Sequence, residues 1–230
     1  YEMDPDALEL SKTLAKQNGI ANCTFTLANI RLLENPEPAD VVISETLGHH
    51  ALAENMIESM EDAKRFLQPN GILIPGQIKQ FVAPVVIDRV QQQIDIWNDV
   101  GFDIDFTAVR ASALQEMYPI NIHSDDLLAS NDAIRCFDKI DFQQTNESQR
   151  SASEQWQIHN AATVYGFAIW WRAELVPGVT LSTDPRDPPT HWQQIYLPLL
   201  EPLHVESDQT LELRLQSDSG YLSGVQITWE

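Results

Sequence analysis

Glycine is scarce in this sequence and badly spaced for binding phosphate. The 230-residue chain has nine glycines, and no two stand closer than Gly220 and Gly224. No G-x-G occurs, so a complete nucleotide-binding glycine loop is excluded. Cysteine is scarcer still. Cys23 and Cys136 stand alone, which excludes a disulfide scaffold and predicts buried thiols in a reducing, cytoplasmic setting. Bases are few: 14 Lys and Arg face 34 Asp and Glu, for a net charge of -20. A nucleic-acid partner is therefore disfavoured, because phosphate binding needs a basic stripe. The longest apolar stretch, residues 164–171, is interrupted by Gly166 and is far too short to cross a membrane. The six histidines form no H-x-x-x-H and no Cys/His cluster, so no metal is expected; the adjacent His49 and His50 are weak evidence alone.

What is present fits a soluble globular protein, with 43% hydrophobic and 21% charged residues. The acidity is spread out. Residues 1–75 hold 12 acids and 5 bases, and residues 76–230 hold 22 and 9. Asp4 as N-cap, Pro5 at the first helical position and Gly19 as a stop predict a helix over residues 5–18. Residues 23–27 read as a short strand, and residues 39–44 as an apolar strand of the buried, parallel type. Apolar spacing predicts a helix over 53–68. A Pro69-Asn70-Gly71 turn and a buried strand at 72–74 follow. Helix, strand, helix, strand makes part of a Rossmann-like α/β sheet, which such a short run cannot complete, so its opening strands are expected upstream of Tyr1.

The texture changes after Pro75. Residues 77–84 alternate like a strand, 85–98 suggest a helix, and 101–128 are mixed and polar. From about residue 130 short strands with turn signals predict an all-β, sandwich-like or barrel-like part. Leu211, Leu213 and Leu215, then a turn at 217–220, then Val225, Ile227 and Trp229, predict a terminal hairpin. The fold expected is thus a partial Rossmann-like sheet over 1–75 and a β-barrel-like part over 76–230.

Two carboxylates stand where such a sheet does chemistry. Glu45 follows the strand at 39–44, and ligands of open α/β sheets bind outside the carboxyl ends of strands. Glu54 lies nine residues on, and Gly48 lets the chain turn back between them. Converging carboxylates share a proton, bind a metal or hold a cation. A guanidinium, with five N–H donors in a planar fork, suits them well. Spacing alone leaves open that they are two unrelated surface acids. Glu2, just before the first helix, sits where a Rossmann-like sheet holds a ribose, or is simply an acid favoured by the helix dipole.

The run Ser44-Glu45-Thr46-Leu47-Gly48-His49-His50-Ala51-Leu52-Ala53-Glu54-Asn55-Met56 resembles the double-glutamate loop of protein arginine methyltransferases. Thr190-His191-Trp192, near the end of the Ser182 to Gln194 stretch, resembles the family's threonine-histidine-tryptophan loop. Trp97-Asn98-Asp99-Val100-Gly101-Phe102-Asp103 resembles the lead into its dimerisation arm. The resemblance covers essentially the whole chain, in order. It implies methyl transfer from S-adenosylmethionine to arginine of a protein substrate. Glu45 and Glu54 would clamp the guanidinium, and His191 would line the acceptor pocket and help orient them. Leu47 and Trp192 would flank that pocket. Glu2 would bind the cofactor's ribose, and Asn29 and Ile30 would stand at the adenine-contacting turn. A homodimer with an arm at about 101–128 is implied too. His49 and His50 are not family hallmarks and read as loop residues. A methyltransferase for another acceptor, and a non-catalytic dimerisation or binding module, remain as alternatives.

Overall fold

A computed structural model describes residues 1–97, 100–130, 132–221 and 224–230. Helix α1 (Pro5–Gln17) starts as expected. Asp4 accepts hydrogen bonds from the Asp6 and Ala7 amides, and Pro5 needs no donor of its own. The chain leaves α1 through Gly19, whose φ of 66° is left-handed. Residues 23–27 do not form the strand expected of them. Only a parallel bridge between Glu2 and Leu27 forms there. It is enough to hold the first residues beside the turn at 28–30.

Strand β1 (Ala39–Ile43) runs parallel to β2 (Leu67–Ile74), pairing Val41, Val42 and Ile43 with Ile72, Leu73 and Ile74. Pro69-Asn70-Gly71 does not separate helix from strand. It bulges out within β2, between the partners of Ala39 and Val41, with Asn70 at φ 69°. Parallel pairing agrees with the sequence, but burial on both faces does not: Val41 is 44% and Ile43 69% exposed. The helix expected over 53–68 is shorter. A 3-10 turn (Ala53–Asn55) leads into α2 (Met56–Ala63), and a second 3-10 turn (Lys64–Phe66) ends it. Met56, Ile57, Met60 and Ala63 form its buried stripe.

The remainder is two antiparallel sheets. The first contains β3 (Gln77–Val85), β4 (Tyr118–Ile120), β5 (Arg135–Asp141), β7 (Ala162–Val176), β8 (Val179–Ser182) and β9 (Gln194–Val205). Its main order is β4-β9-β7-β3-β5, with β8 pairing β7. The second contains β6 (Gln149–Gln157), β10 (Thr210–Asp218) and β11 (Gln226–Trp229), in the order β11-β10-β6. The predicted hairpin is β10 and β11, joining Leu215 to Trp229 and Asp218 to Gln226 across a longer turn than expected.

Among the described residues the strands do not close into a barrel. The seam between β5 and β6 carries side-chain bonds in place of a backbone ladder. Arg150 donates to the Asp138 carboxylate and the Lys139 carbonyl, and Arg135 donates to the Gln155 carbonyl. Trp156, Phe167, Ile169, Ile195, Leu211 and Leu213 fill the space between the sheets. This apolar layer is the favourable term that makes a sandwich stable.

The helix expected over 85–98 is only α3 (Arg89–Ile94), because Val85 still belongs to β3; residue 98 lies outside the described residues. Residues 101–128 hold α4 (Thr107–Ala113) and β4. Arg110 fastens α4 by donating to Asp95, Glu201 and the Leu200 carbonyl. Phe102, 89% exposed, projects from the same segment. Of the residues expected to lead into the arm, Asn98 and Asp99 lie outside the described residues. The thiols differ from expectation as well: Cys23 is exposed and Cys136 half-buried. No helix of the described residues is long and apolar enough to cross a membrane.

Strand β7 is the spine of the molecule. Its Phe167 and Ile169 face the second sheet, Trp171 and Ala173 face α2 and its preceding loop, and Ala168 and Trp170 face the side of α3 and β4. Gly166 lets β9 approach. A Cβ there would overlap the Leu197 carbonyl and lie 2.6 Å from the Tyr196 ring. Gly166→Ala is expected to destabilise by about 1–3 kcal/mol through this overpacking. The check is urea unfolding, with a lower midpoint at unchanged slope.

Candidate functional site

Glu45 leaves the C-terminal end of β1, where Ser44 is tied to β2 by its amide bond to the Ile74 carbonyl. Beyond it the chain folds into a compact loop. Gly48 lies so close to Ala53 that a Cβ at residue 48 would overlap the alanine's own. That approach needs glycine, and it brings the chain back from Glu45 toward Glu54. The Ala53 amide donates to the His50 carbonyl and the Leu52 amide to His50 Nδ1, closing the turn. Thr46 Oγ1 donates to Met56 Sδ at 2.9 Å, fastening the start of the loop to α2.

Glu54 itself is strained. It sits at φ 60°, and Asn55 follows at φ 55°. For residues other than glycine each such conformation costs roughly 1–2 kcal/mol, with asparagine the more tolerant. Asn55 offsets part of this cost: its side-chain amide donates to the Ser219 carbonyl at 2.7 Å and the Tyr221 carbonyl at 3.1 Å. Two hydrogen bonds at a net ~0.5–1.5 kcal/mol each are the right size to hold the turn. Strain maintained by surrounding contacts is a feature of functional segments. Glu45 and Glu54 are both exposed, and neither carboxylate takes a hydrogen bond among the described residues. They are acceptors without an internal duty.

The second sequence motif lies against the first. Trp192 Nε1 donates to the Leu47 carbonyl at 2.7 Å, and His49 Nδ1 donates to the Trp192 carbonyl at 2.5 Å. Trp171 Nε1 donates to the Gly48 carbonyl at 3.1 Å and meets Trp192 edge-on, ring centres 5.4 Å apart. Three consecutive residues of the glutamate loop, 47 to 49, are thereby bonded to two tryptophans of the sandwich. The tryptophan loop is stiffened in turn. Thr183 exchanges bonds with Trp171, and Gln194 Nε2 donates to the Thr183 carbonyl at 2.8 Å.

Among the residues singled out from sequence, Leu47 is 5% exposed and packs in the core, so its carbonyl is the part with a visible task. His191 is exposed, its ring 3.9 Å from that of Trp192, and it makes no hydrogen bond to either glutamate among the described residues. Glu2 Oε1 accepts from the Met3 and Asp4 amides at 2.7 and 2.8 Å. Its other oxygen has no donor among the described residues. The Ala28 amide donates to the Glu2 carbonyl, which sets the turn at 28–30 beside it. Asn29 Oδ1 caps the following 3-10 turn through the Arg31 amide, and the Ile30 carbonyl accepts from Arg65. Glu2, Asn29 and Ile30 therefore form one neighbourhood. Glu45, Leu47, Glu54 and Trp192 belong to another, around the glutamate loop.

Sequence reading missed Trp171, Asn55 and the work of both loop histidines. Trp171 looks like any core residue of a β-rich run. Asn55 carried a usable signal, since asparagine tolerates left-handed backbone. His50 is buried, and desolvation pushes its imidazole down to about 4, against an upward pull from Asp138.

Residues 79–222 match the model described as the arginine methyltransferase oligomerization subdomain, and residues 1–98 match a methyltransferase domain. The chain is 29% identical over 221 residues to protein arginine N-methyltransferase 6 of Xenopus laevis, covering 90% of this chain and 65% of that protein. It is 25% identical over 226 residues to the arginine N(omega)-methyltransferase of Streptomyces achromogenes subsp. streptozoticus, covering 93% and 60%. Among solved structures it resembles the Trypanosoma brucei PRMT1 enzyme-prozyme heterotetrameric complex with AdoHcy. The TM-score is 0.83 at 20% identity, over 96% of this chain and 72% of that one. The chain spans slightly less than two thirds of the Xenopus relative and 59% of a similar Arabidopsis thaliana protein.

The buried histidine makes stability depend on pH. His50 is neutral in the fold down to about pH 4, whereas unfolded it takes up a proton near 6.5. Its contribution is complete above pH 6.5 and is lost as pH falls toward 4, by on the order of 3 kcal/mol. Urea unfolding at pH 7 and pH 4.5 checks this: a His50→Gln variant should lose less stability over that interval than the native chain.

Proposed function

The chain belongs to the arginine methyltransferase family, and on that premise we propose that it takes part in methyl transfer from S-adenosylmethionine to arginine in a protein substrate. One observation carries the proposal. Two exposed carboxylates with no partner among the described residues sit on a loop that the structure spends glycine, strain and two tryptophans to shape. Strained segments held by their surroundings cluster at active sites and ligand clamps.

Glu45 and Glu54 accept N–H bonds from the acceptor guanidinium and fix it in line for attack. By drawing positive charge onto the nitrogens they bind, they leave the third nitrogen more nucleophilic. Arginine is otherwise always protonated, so this help matters. The attacking nitrogen forms its bond to carbon, and one glutamate takes the released proton. His191 borders the acceptor, and Trp192 supports the loop beneath it through the carbonyl of the buried Leu47.

S-adenosylmethionine, when bound, supplies a methyl group on a sulfonium that leaves as S-adenosylhomocysteine. The residues present suit it. Glu2 keeps one oxygen for a ribose hydroxyl, as an acid before a helix does in Rossmann-like sheets. Asn29 and Ile30 stand next to it at the adenine turn. Under this proposal residues 1–75 are part of the cofactor-binding domain and residues 76–230 present the substrate. The chain works in the cytoplasm as a homodimer, with residues 101–128 as the arm. The exposed Phe102 and Ile104 are apolar surface suited to a second copy.

Glu45→Gln and Glu54→Gln preserve shape and remove charge. Each is expected to lower kcat for an arginine peptide by about a hundredfold or more, the scale of losing one preorganised electrostatic contact. S-adenosylhomocysteine binding by calorimetry should remain within twofold. Normal arginine methylation by either variant would end the clamp proposal. Transfer to a different acceptor class, with none to arginine, would favour another methyltransferase activity.

A further inference from the structure

The glutamate loop has a buried group that the proposed chemistry does not use. His50 is 2% exposed, and its Nδ1 accepts from the Leu52 amide at 3.2 Å. A neutral imidazole that accepts at Nδ1 carries its proton at Nε2. Nε2 is buried and has no hydrogen-bond partner among the described residues. An unmet buried donor costs about 1–3 kcal/mol, so it should have an acceptor.

The surroundings offer one. His50 lines a small, partly open pocket of about 10 Å³, where Asp138, Arg150, Ser151 and Ser217 stand among apolar neighbours such as Phe137 and Leu215. That is about the space of one water molecule, and the polar side chains of the mixed wall supply the partners one needs. Asp138, on β5, shares this lining. Its carboxylate accepts from Gln80 Nε2 at 3.0 Å and from Arg150 Nε at 2.7 Å, and a carboxylate has room for a further donor.

We propose that this cavity is a binding site for a single structural water, which accepts from His50 Nε2–H and donates to Asp138, and that His50 is thereby a positioning residue for the loop carrying Glu45 and Glu54. Asp138 is fixed by β3 through Gln80 and by β6 through Arg150. The bridge therefore ties the glutamate loop to both sheets at once. The effect on the acceptor site follows from the chain path. His50 closes the turn with Leu52 and Ala53, and the next residue is Glu54 in its strained conformation. The link to catalysis rests on the function proposed above; the water and the positioning do not.

Two substitutions separate the two ends of the imidazole. His50→Asn keeps an acceptor for the Leu52 amide but does not reach the cavity. His50→Gln places an amide N–H in the cavity. Nitrogen-15 histidine NMR on the native protein should show the neutral Nε2–H form at pH 7, with magnetisation transfer from a long-lived water to Nε2–H. Hydrogen exchange at residues 51–55 should quicken about tenfold in His50→Asn and return to within threefold of native in His50→Gln. The kcat/KM for an arginine peptide should follow the same pattern, with S-adenosylhomocysteine affinity constant. An Nδ1–H tautomer, no water contact, or native exchange in His50→Asn would overturn the proposal. If His50→Asn does not fold, the NMR result on the native protein decides. If the native protein methylates no arginine, the function proposal fails while NMR and hydrogen exchange still test the water site and the positioning.

Discussion

Everything at the candidate site depends on the pair of hydrogen bonds exchanged between residues 47–49 and Trp192. Trp192 donates to the Leu47 carbonyl, and the Trp192 carbonyl accepts from His49. Each bond is worth only about 1 kcal/mol net. Their importance is geometric, because they join segments 143 to 145 residues apart in the chain. They act together with the Trp171 bond to the Gly48 carbonyl and the Asn55 bonds to residues 219 and 221. With them the glutamate loop is pressed against the sandwich and given one shape.

The core makes that pressing possible. Met56, Ile57 and Met60 of α2 share one apolar cluster with Ile78 of β3, Ile140 of β5 and Trp171 of β7. The α/β segment and the sandwich are therefore joined by a common hydrophobic layer, and the loop lies along its rim. Burial supplies the cohesive energy, and the directional bonds choose among conformations that burial alone would tolerate. Strain at Glu54 and Asn55 is affordable in this setting, because Asn55 is anchored to the segment after β10.

Local chemistry was legible in the sequence. Asp4, Pro5 and Gly19 marked α1, the alternation of Leu211, Leu213 and Leu215 marked β10, and the spacing of Glu45 and Glu54 around Gly48 marked the loop. Long-range pairing was not. Nothing in residues 135–157 says that β5 and β6 will lie in different sheets, with Arg135 and Arg150 side chains bonding across the seam. The exposed face of β1 was misjudged because an apolar run reports what a segment can bury and not what covers it. Pro69-Asn70-Gly71 reads as a turn, but whether a turn ends a strand or bulges from it is decided by the partner strand. Trp192 could be named as part of a motif. Its backbone carbonyl and indole N–H matter because Leu47 and His49, distant in sequence, lie beside it.

The most direct test is a single substitution far from both glutamates in sequence. Trp192→Phe keeps an aromatic ring against Trp171 and removes the donor to the Leu47 carbonyl. With the loop's shape as the controlling quantity, kcat/KM for an arginine peptide should fall about tenfold, while S-adenosylhomocysteine affinity stays unchanged. An unaltered kcat/KM would contradict the account, since the loop would then hold its glutamates without the bond on which the site is argued to rest.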